Sequence, residues 1–250
     1  MQYQALRKTA SSKLTLAAAI TLSLTLFCAF LTGMSFASES NAAQGSTQIV
    51  FYVVLIPFVL PFVAVALLPG VALFLIYKNA ASGRPLRRVG FTILRSYMIV
   101  NVVVCALAAV IIIVPRVIST RWAFNAVSTV TVIQMLLTLL VSILSVGVLK
   151  TAAEVVVYRG TYRKVGYLLP ILQIILALLA AADLLFTVLA NTVPSLLEPL
   201  ADYRVSSAQM FYFSVVSSSL GLANSVLFIL LSFRGIRALS QPGTPPVEVE

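Results

Sequence analysis

Six long apolar stretches, almost free of charge, occupy most of this chain. They run over residues 14–36, 48–77, 97–114, 125–149, 166–190 and 208–233. Each is roughly 20 residues or longer, which is the length that an α-helix needs to cross the ~30 Å hydrocarbon core of a bilayer. Only Asp183 places a formal charge well inside one of them. The sequence therefore predicts an all-α fold, a polytopic transmembrane helical bundle with six spans.

The composition supports an integral, multi-pass membrane location. Hydrophobic residues make up 60% of the chain and charged residues 10%, whereas soluble domains carry about 25% charged residues. The net charge is +10. Basic loops of a membrane protein serve as topology signals and contact anionic lipid headgroups, so the predicted partner of these charges is the bilayer and no nucleic acid is expected.

The distribution of Lys and Arg sets the predicted orientation, because these residues are retained on the cytoplasmic side during insertion. With the N-terminus in the cytoplasm, the outward loops hold only Arg116, Arg121 and Arg204. The cytoplasmic set is much larger: Arg7, Lys8, Lys13, Lys78, Arg84, Arg87, Arg88, Arg95, Lys150, Arg159, Arg163, Lys164, Arg234 and Arg237. Both termini are therefore predicted to be cytoplasmic, with 1–13 as a basic N-terminal segment, 14–233 as the bundle and 234–250 as a disordered tail.

The start of the chain also fits a secretory signal. A basic segment precedes an apolar run, and small residues lie just before Ser38. Cleavage there would leave five spans. The apolar run is longer than the ~7–15 residues of a usual signal core, which favours a retained first span.

Enzymatic and metal chemistry are not expected. The chain contains no histidine, which removes imidazole as a general base or metal ligand. Its two cysteines, Cys28 and Cys105, lie within predicted spans, so no disulfide framework is implied. We expect no catalytic residues, no metal site and no cofactor.

The best candidate site lies on the fifth predicted span, where Gln173, Asp183 and Thr187 share one helical face. A carboxylate inside a membrane is costly and needs a partner, a proton or water. We expect Asp183 to be the main determinant of a solute or cation site. Neutral groups from neighbouring spans would complete it: Asn101, Gln134 and Asn224. The alternative is that Asp183 lies near the outer interface and extends to the headgroups.

Two further spans carry polar or small residues at helical spacing. On the fourth, a continuous polar face comprises Thr131, Gln134, Thr138, Ser142 and Ser145. It lines a hydrated path, or it packs against another helix with its hydroxyls bonded to the preceding turn. On the sixth, Ser217, Gly221 and Ser225 repeat every four residues, a spacing that favours close helix packing.

Three functions remain open on these observations. The leading hypothesis is a non-enzymatic membrane protein that binds or passes a small solute or cation. The first alternative is a structural subunit, assembled with itself or with a partner membrane protein through its small-residue faces. The second is a receptor-like signalling protein whose basic cytoplasmic loops, 78–95 and 150–164, meet a soluble partner.

Overall fold

The structure, a computed structural model, describes residues 1–43, 67–118, 126–161, 165–193 and 208–241. These ranges contain seven α-helices and no strand, which confirms the predicted all-α class. The helices are α1 (Gln2–Ala10), α2 (Lys13–Ala43), α3 (Leu67–Ala81), α4 (Arg88–Ile118), α5 (Ala126–Tyr158), α6 (Leu168–Thr192) and α7 (Ala208–Leu239).

Four of these helices are long and apolar enough to cross a membrane. The spanning segments are Arg88–Val110 of α4, Val130–Tyr158 of α5, Leu168–Thr192 of α6 and Met210–Leu239 of α7. A fifth results if α1 and the first part of α2, which meet at 52°, count as one bent span. The described part of α3 is a shorter apolar helix, and residues 48–66 of the second predicted span lie outside the described residues.

Helices α2 to α7 form a ring in chain order. Each of the pairs α4–α5, α5–α6 and α6–α7 is in contact, and α7 closes the ring against α2. Two close approaches hold α3 between its neighbours: a side chain at Gly70 would collide with Ser23 of α2, and one at Gly90 would collide with Ile76 of α3. Glycine at both positions lets the helix backbones approach.

The buried apolar core lies at one end of the ring. Residues from the starts of α2 and α4 and from the ends of α3, α5 and α7 pack there, so successive helices run in opposite directions. Helix α1 lies at the same end and contacts α5 and α7; we call this the α1 end. Its core comprises Leu6, Ala10, Ala18, Ala19, Ala72, Leu73, Ile76, Ala80, Leu86, Phe91, Leu94, Ala152, Val155, Val156 and Leu239.

Four helices extend further at the α1 end than the apolar stretches predict. Helix α3 continues to Ala81 past 77, α4 begins at Arg88 and not at 97, α5 continues to Tyr158 past 149, and α7 continues to Leu239 past 233. The extensions are amphipathic: Leu94, Val155 and Ile236 are buried, while the basic residues among them interrupt the apolar runs. A helix of this kind buries only one of its faces. Its residues therefore do not form a continuous apolar stretch, and the boundaries predicted from the apolar stretches fall short of the observed helix ends.

Helix α1 was not predicted, because the sequence marks residues 1–13 only as a basic segment. Its buried residues are Gln2, Leu6 and Ala10, spaced every four positions on one face. The turn between α1 and α2 is held by Thr15, which is 3% exposed and whose hydroxyl donates to Thr9 O at 2.9 Å. This bond sets α1 across the end of the ring.

Candidate functional site: an uncharged cavity inside the helix ring

A cavity of ≈ 330 Å³ lies inside the ring, and residues of all seven helices line it. Leu6 and Ala10 of α1 and Leu239 of α7 belong to its lining, so it reaches the α1 end. Its volume falls at the lower end of the range of about 300–1,000 Å³ that is typical of small-molecule sites. Helix α1 forms the wall of the cavity at that end.

The cavity is apolar with a limited set of neutral polar groups. Leucine, phenylalanine and other apolar residues make up most of the lining. No Asp, Glu, Lys or Arg is found among the described lining residues. The polar side chains are Thr9, Thr15, Tyr97, Asn101, Thr138, Ser142, Ser145, Gln173, Asn224, Ser225 and Ser232.

Part of the polar face of α5 turns toward this cavity. Thr138, Ser142 and Ser145 all line it. Two of them also bond to the preceding turn: Thr138 Oγ1 donates to Gln134 O at 2.7 Å and Ser145 Oγ donates to Val141 O at 2.7 Å. This face can therefore both bond to its own helix and line the cavity, because a hydroxyl that donates its proton still presents its oxygen lone pairs to the cavity.

Two side-chain amides tie neighbouring helices together beside the cavity. Asn101 Nδ2 of α4 donates to Ser142 Oγ of α5 at 2.8 Å. On the opposite side of the ring, Thr21 Oγ1 of α2 lies 3.3 Å from Asn224 Oδ1 of α7, and its proton is shared between this oxygen and Ala17 O at 2.9 Å. Both amides line the cavity and both are engaged in packing the ring.

Comparisons with known protein families, curated proteins and solved structures find no match. The function is therefore inferred from the geometry and chemistry of the cavity itself.

Gln173 differs from the two asparagines. It belongs to the cavity lining, and its Oε1 is buried without a hydrogen-bond partner among the described residues. An unpaired buried polar atom costs about 1–3 kcal/mol. Gln173 is thus the lining residue whose side-chain oxygen is buried without a hydrogen-bond partner in the described part of the protein.

The other residues of the predicted solute site lie apart from the cavity. Gln134, Asp183 and Thr187 are not among its lining residues. Asp183 lies three turns farther along α6 than Gln173, about 15 Å at the rise of a helix. Its backbone carbonyl accepts a hydrogen bond from Thr187 Oγ1 at 2.9 Å. Asn101, Gln173 and Asn224 are the members of the predicted set that the ring brings to one cavity.

The small residues of α7 face two different surroundings. Ser225 lines the cavity and its hydroxyl donates to Gly221 O at 2.9 Å. Gly221 faces α2, where a Cβ would meet Thr25 Cγ2 at 3.9 Å, an ordinary van der Waals distance. Ser217, one turn away from Gly221, is partly buried. Their proposed role in close packing stays a prediction.

Gln2, which the sequence did not single out, anchors the α1 wall. Its two Nε2 hydrogens are shared among three backbone carbonyl oxygens, which lie at 2.9 Å for Leu239, 2.9 Å for Gln241 and 3.1 Å for Thr161. Its Oε1 accepts from Thr161 N at 2.8 Å. One buried amide therefore joins α1 to the end of α7 and to the α5–α6 connection, where it satisfies carbonyls that a helix end leaves unpaired.

Tyr3 joins the same helix to two further segments. Leu86 N, in the α3–α4 connection, donates to the Tyr3 hydroxyl at 3.0 Å. The guanidinium of Arg159 lies 4.0 Å from the centre of the Tyr3 ring, a cation–π geometry. The sequence signal that predicts α1 is the four-residue spacing of Gln2, Leu6 and Ala10 within the basic N-terminal segment. This spacing places the three side chains on one face of a helix.

Proposed function

We propose that this chain is a non-enzymatic, multi-pass integral membrane protein that binds, or passes, a small neutral and mainly apolar molecule in the cavity of its helix ring. The observation that carries the proposal is the lining of that cavity, to which all seven helices contribute and in which the described residues place no charge. A pocket of apolar walls with a few converging polar groups is typical of small-molecule sites. An ion would need compensating charge or several oxygen ligands in such surroundings.

Six spans with both termini in the cytoplasm are part of the same proposal. Each helix of the ring overlaps one of the six apolar stretches of the sequence, α3 through residues 67–77. Support for the orientation comes from the exposed basic residues at the α1 end, since such residues are enriched on the cytoplasmic side. They are Lys8, Lys13, Lys78, Arg84, Arg87, Arg88, Lys150, Arg159, Arg234 and Arg237.

Binding of fluorobenzene to the protein in lipid nanodiscs, followed by ¹⁹F NMR, tests the proposed function. We expect saturable binding above the partitioning into empty nanodiscs, because a small neutral probe matches the cavity in size and polarity. We expect the same affinity in Asp183→Asn, since Asp183 does not line the cavity. Loss of binding in a folded Asp183→Asn protein would contradict the neutral-cavity proposal and favour a site organised by the carboxylate.

Retention of the first helices is a separate expectation. Gln2 is bonded to the end of α7, and Ala18 and Ala19 of α2 are buried in the core. Removal of residues 1–37 would expose the α7 end and open one side of the ring. Mass spectrometry of the purified protein should therefore find residues 2–37 still attached to the rest of the chain. A chain that begins at Ser38 would contradict this expectation.

A further inference from the structure

Four arginines from distant parts of the chain lie around Tyr3 at the α1 end. The guanidinium of Arg159, directly after α5, lies 4.0 Å from the centre of the Tyr3 ring, and the Tyr3 hydroxyl accepts a hydrogen bond from Leu86 N in the α3–α4 connection at 3.0 Å. In the same connection, a Cβ on Gly83 would lie 3.8 Å from Arg7 Nη2. The arginine cluster comprises the two arginines of these contacts and the chain neighbours of their partners: Arg7, Arg159, Arg84 and Arg87.

The arginine cluster has no counter-charge of its own. In the part of the chain that the structure describes, none of its guanidinium groups forms an ion pair. Glu154 is the acidic residue of the described α1 end, and it is not paired with any of them. Arg84, Arg87 and Arg159 are exposed. Like charges held around one side chain repel one another unless an anion lies among them, so the cluster favours an anionic ligand.

The backbone of Arg159 is a second indication that its side chain is used. Its φ is 60°, in the left-handed region that residues other than glycine, asparagine and aspartate rarely adopt. Left-handed residues commonly end helices, and glycine is the usual choice because it adopts this conformation without steric cost. An arginine at this position supplies something that glycine does not, a guanidinium group fixed against Tyr3.

The arginine cluster lies outside the hydrocarbon core of the bilayer. Helix α4 begins at Arg88, nine residues before the apolar stretch that starts at 97, and α5 ends at Tyr158, nine residues past 149. Nine helical residues span about 13 Å, whereas headgroups add only about 5–8 Å on each side of the hydrocarbon. Arginine side chains extend back toward the membrane. Their guanidinium groups therefore meet the outer part of the headgroup layer, beyond the phosphodiester beside the glycerol.

We propose that the arginine cluster is a binding site for a phospholipid whose headgroup ends in a phosphomonoester, for example a phosphorylated inositol ring. A phosphomonoester carries a charge of about −1.5 to −2 and three strong acceptor oxygens, which guanidinium groups bind through paired, parallel hydrogen bonds. A headgroup held there joins α1 to the α3–α4 and α5–α6 connections. This inference is independent of the cavity and of what the cavity binds.

Two short-chain lipids that differ by one phosphate group test this site. Dioctanoyl phosphatidylinositol 4-phosphate and dioctanoyl phosphatidylinositol are titrated into the full chain in an uncharged detergent, and native mass spectrometry counts the bound lipid. We expect one molecule of the phosphorylated lipid to bind about 10-fold or more tightly than the other lipid, the value of charged hydrogen bonds. Inositol 1,4-bisphosphate, the same headgroup without its glycerol and acyl chains, should bind more weakly than the phosphorylated lipid.

The double variant Arg84→Gln/Arg87→Gln removes two exposed members of the cluster, and circular dichroism checks that it is folded. Its affinity for the phosphorylated lipid should fall by about 10- to 30-fold. Lys13→Gln/Lys150→Gln is the matched control, because it removes the same charge from two exposed residues outside the cluster. Lys150 lies nine residues before Arg159, about 13 Å along α5, and the control should lose no more than about 3-fold.

Three results would overturn this assignment and leave the cavity proposal standing. Equal affinities of the native protein for the two lipids would show that the phosphomonoester is not recognised. An equal loss in the two double variants would show that attraction is spread over the whole basic surface. Binding of inositol 1,4-bisphosphate as tight as that of the phosphorylated lipid would show that the site does not select a membrane lipid.

Discussion

Gln2→Ala should destabilise the protein by about 2–3 kcal/mol, since it leaves buried carbonyl and amide groups unpaired. The substitution removes the hydrogen bonds of the Gln2 amide, which hold α1 against the end of α7 and the α5–α6 connection. For a chain of this size the midpoint of thermal unfolding should fall by about 5–10 °C. Circular dichroism at helical wavelengths, recorded in detergent during heating, measures this change.

Gln4→Ala is the matched control for this prediction. Gln4 belongs to the same helix and is exposed, whereas Gln2 is 3% exposed. The two substitutions change helix propensity and charge equally. A similar midpoint for both variants would show that α1 is not docked through Gln2, and the α1 wall of the cavity would lose its physical basis.

Gly235→Leu should stabilise the protein and occupy the cavity. Gly235 lies on the cavity-lining face of α7, and a Cβ built on it meets nothing within 4 Å. Leucine removes a glycine from a helix interior, worth about 1 kcal/mol, and its side chain gains van der Waals contacts in the open space. We expect the midpoint of thermal unfolding to rise by about 4–8 °C, measured by the same method.

Gly147→Leu separates the effect of the cavity from the effect of helix propensity. Gly147 lies within α5, and a Cβ there also meets nothing within 4 Å, but the residue does not line the cavity. Its replacement should raise the midpoint by only about 2–4 °C. A fall in the midpoint for Gly235→Leu would mean that the space beside Gly235 is filled.

The fold class and much of the helix order follow from hydropathy. Long uncharged stretches predicted the segments that became α4, α5, α6 and α7, since a membrane admits few other structures. The residues at which helices begin or end at the α1 end did not follow from hydropathy. Buried residues such as Val155 and Ile236 lie there among charged and polar residues, so these amphipathic ends are not part of a continuous apolar stretch.

The sequence analysis identified some of the polar residues that line the cavity, for a physical reason. Polar side chains in spanning helices turn inward, and this rule identified Asn101, Gln173 and Asn224, which line one cavity. The rule does not give the depth at which residues on different helices meet, so it also selects Gln134 and Thr187, which do not line the cavity. Asp183 is distinguished in the sequence by its charge, but it does not line the cavity either.

The role of α1 could not be obtained from the apolar stretches. Its function in the fold depends on Gln2, whose partners are backbone atoms of Thr161, Leu239 and Gln241. Backbone carbonyls at a helix end carry no side-chain signal in the sequence. Contacts between residues so far apart in the sequence can be identified only from the folded structure.

Fluorobenzene titration of three proteins, the native chain, Gly235→Leu and Gly147→Leu, tests the central claim most directly, because Gly235 and not Gly147 lines the cavity. The proteins are compared in identical nanodiscs by ¹⁹F NMR, after circular dichroism has shown that each is folded. A cavity that takes small neutral molecules predicts saturable binding to the native protein and to Gly147→Leu, and its loss in Gly235→Leu. Equal binding to all three proteins, or to none, would contradict the account.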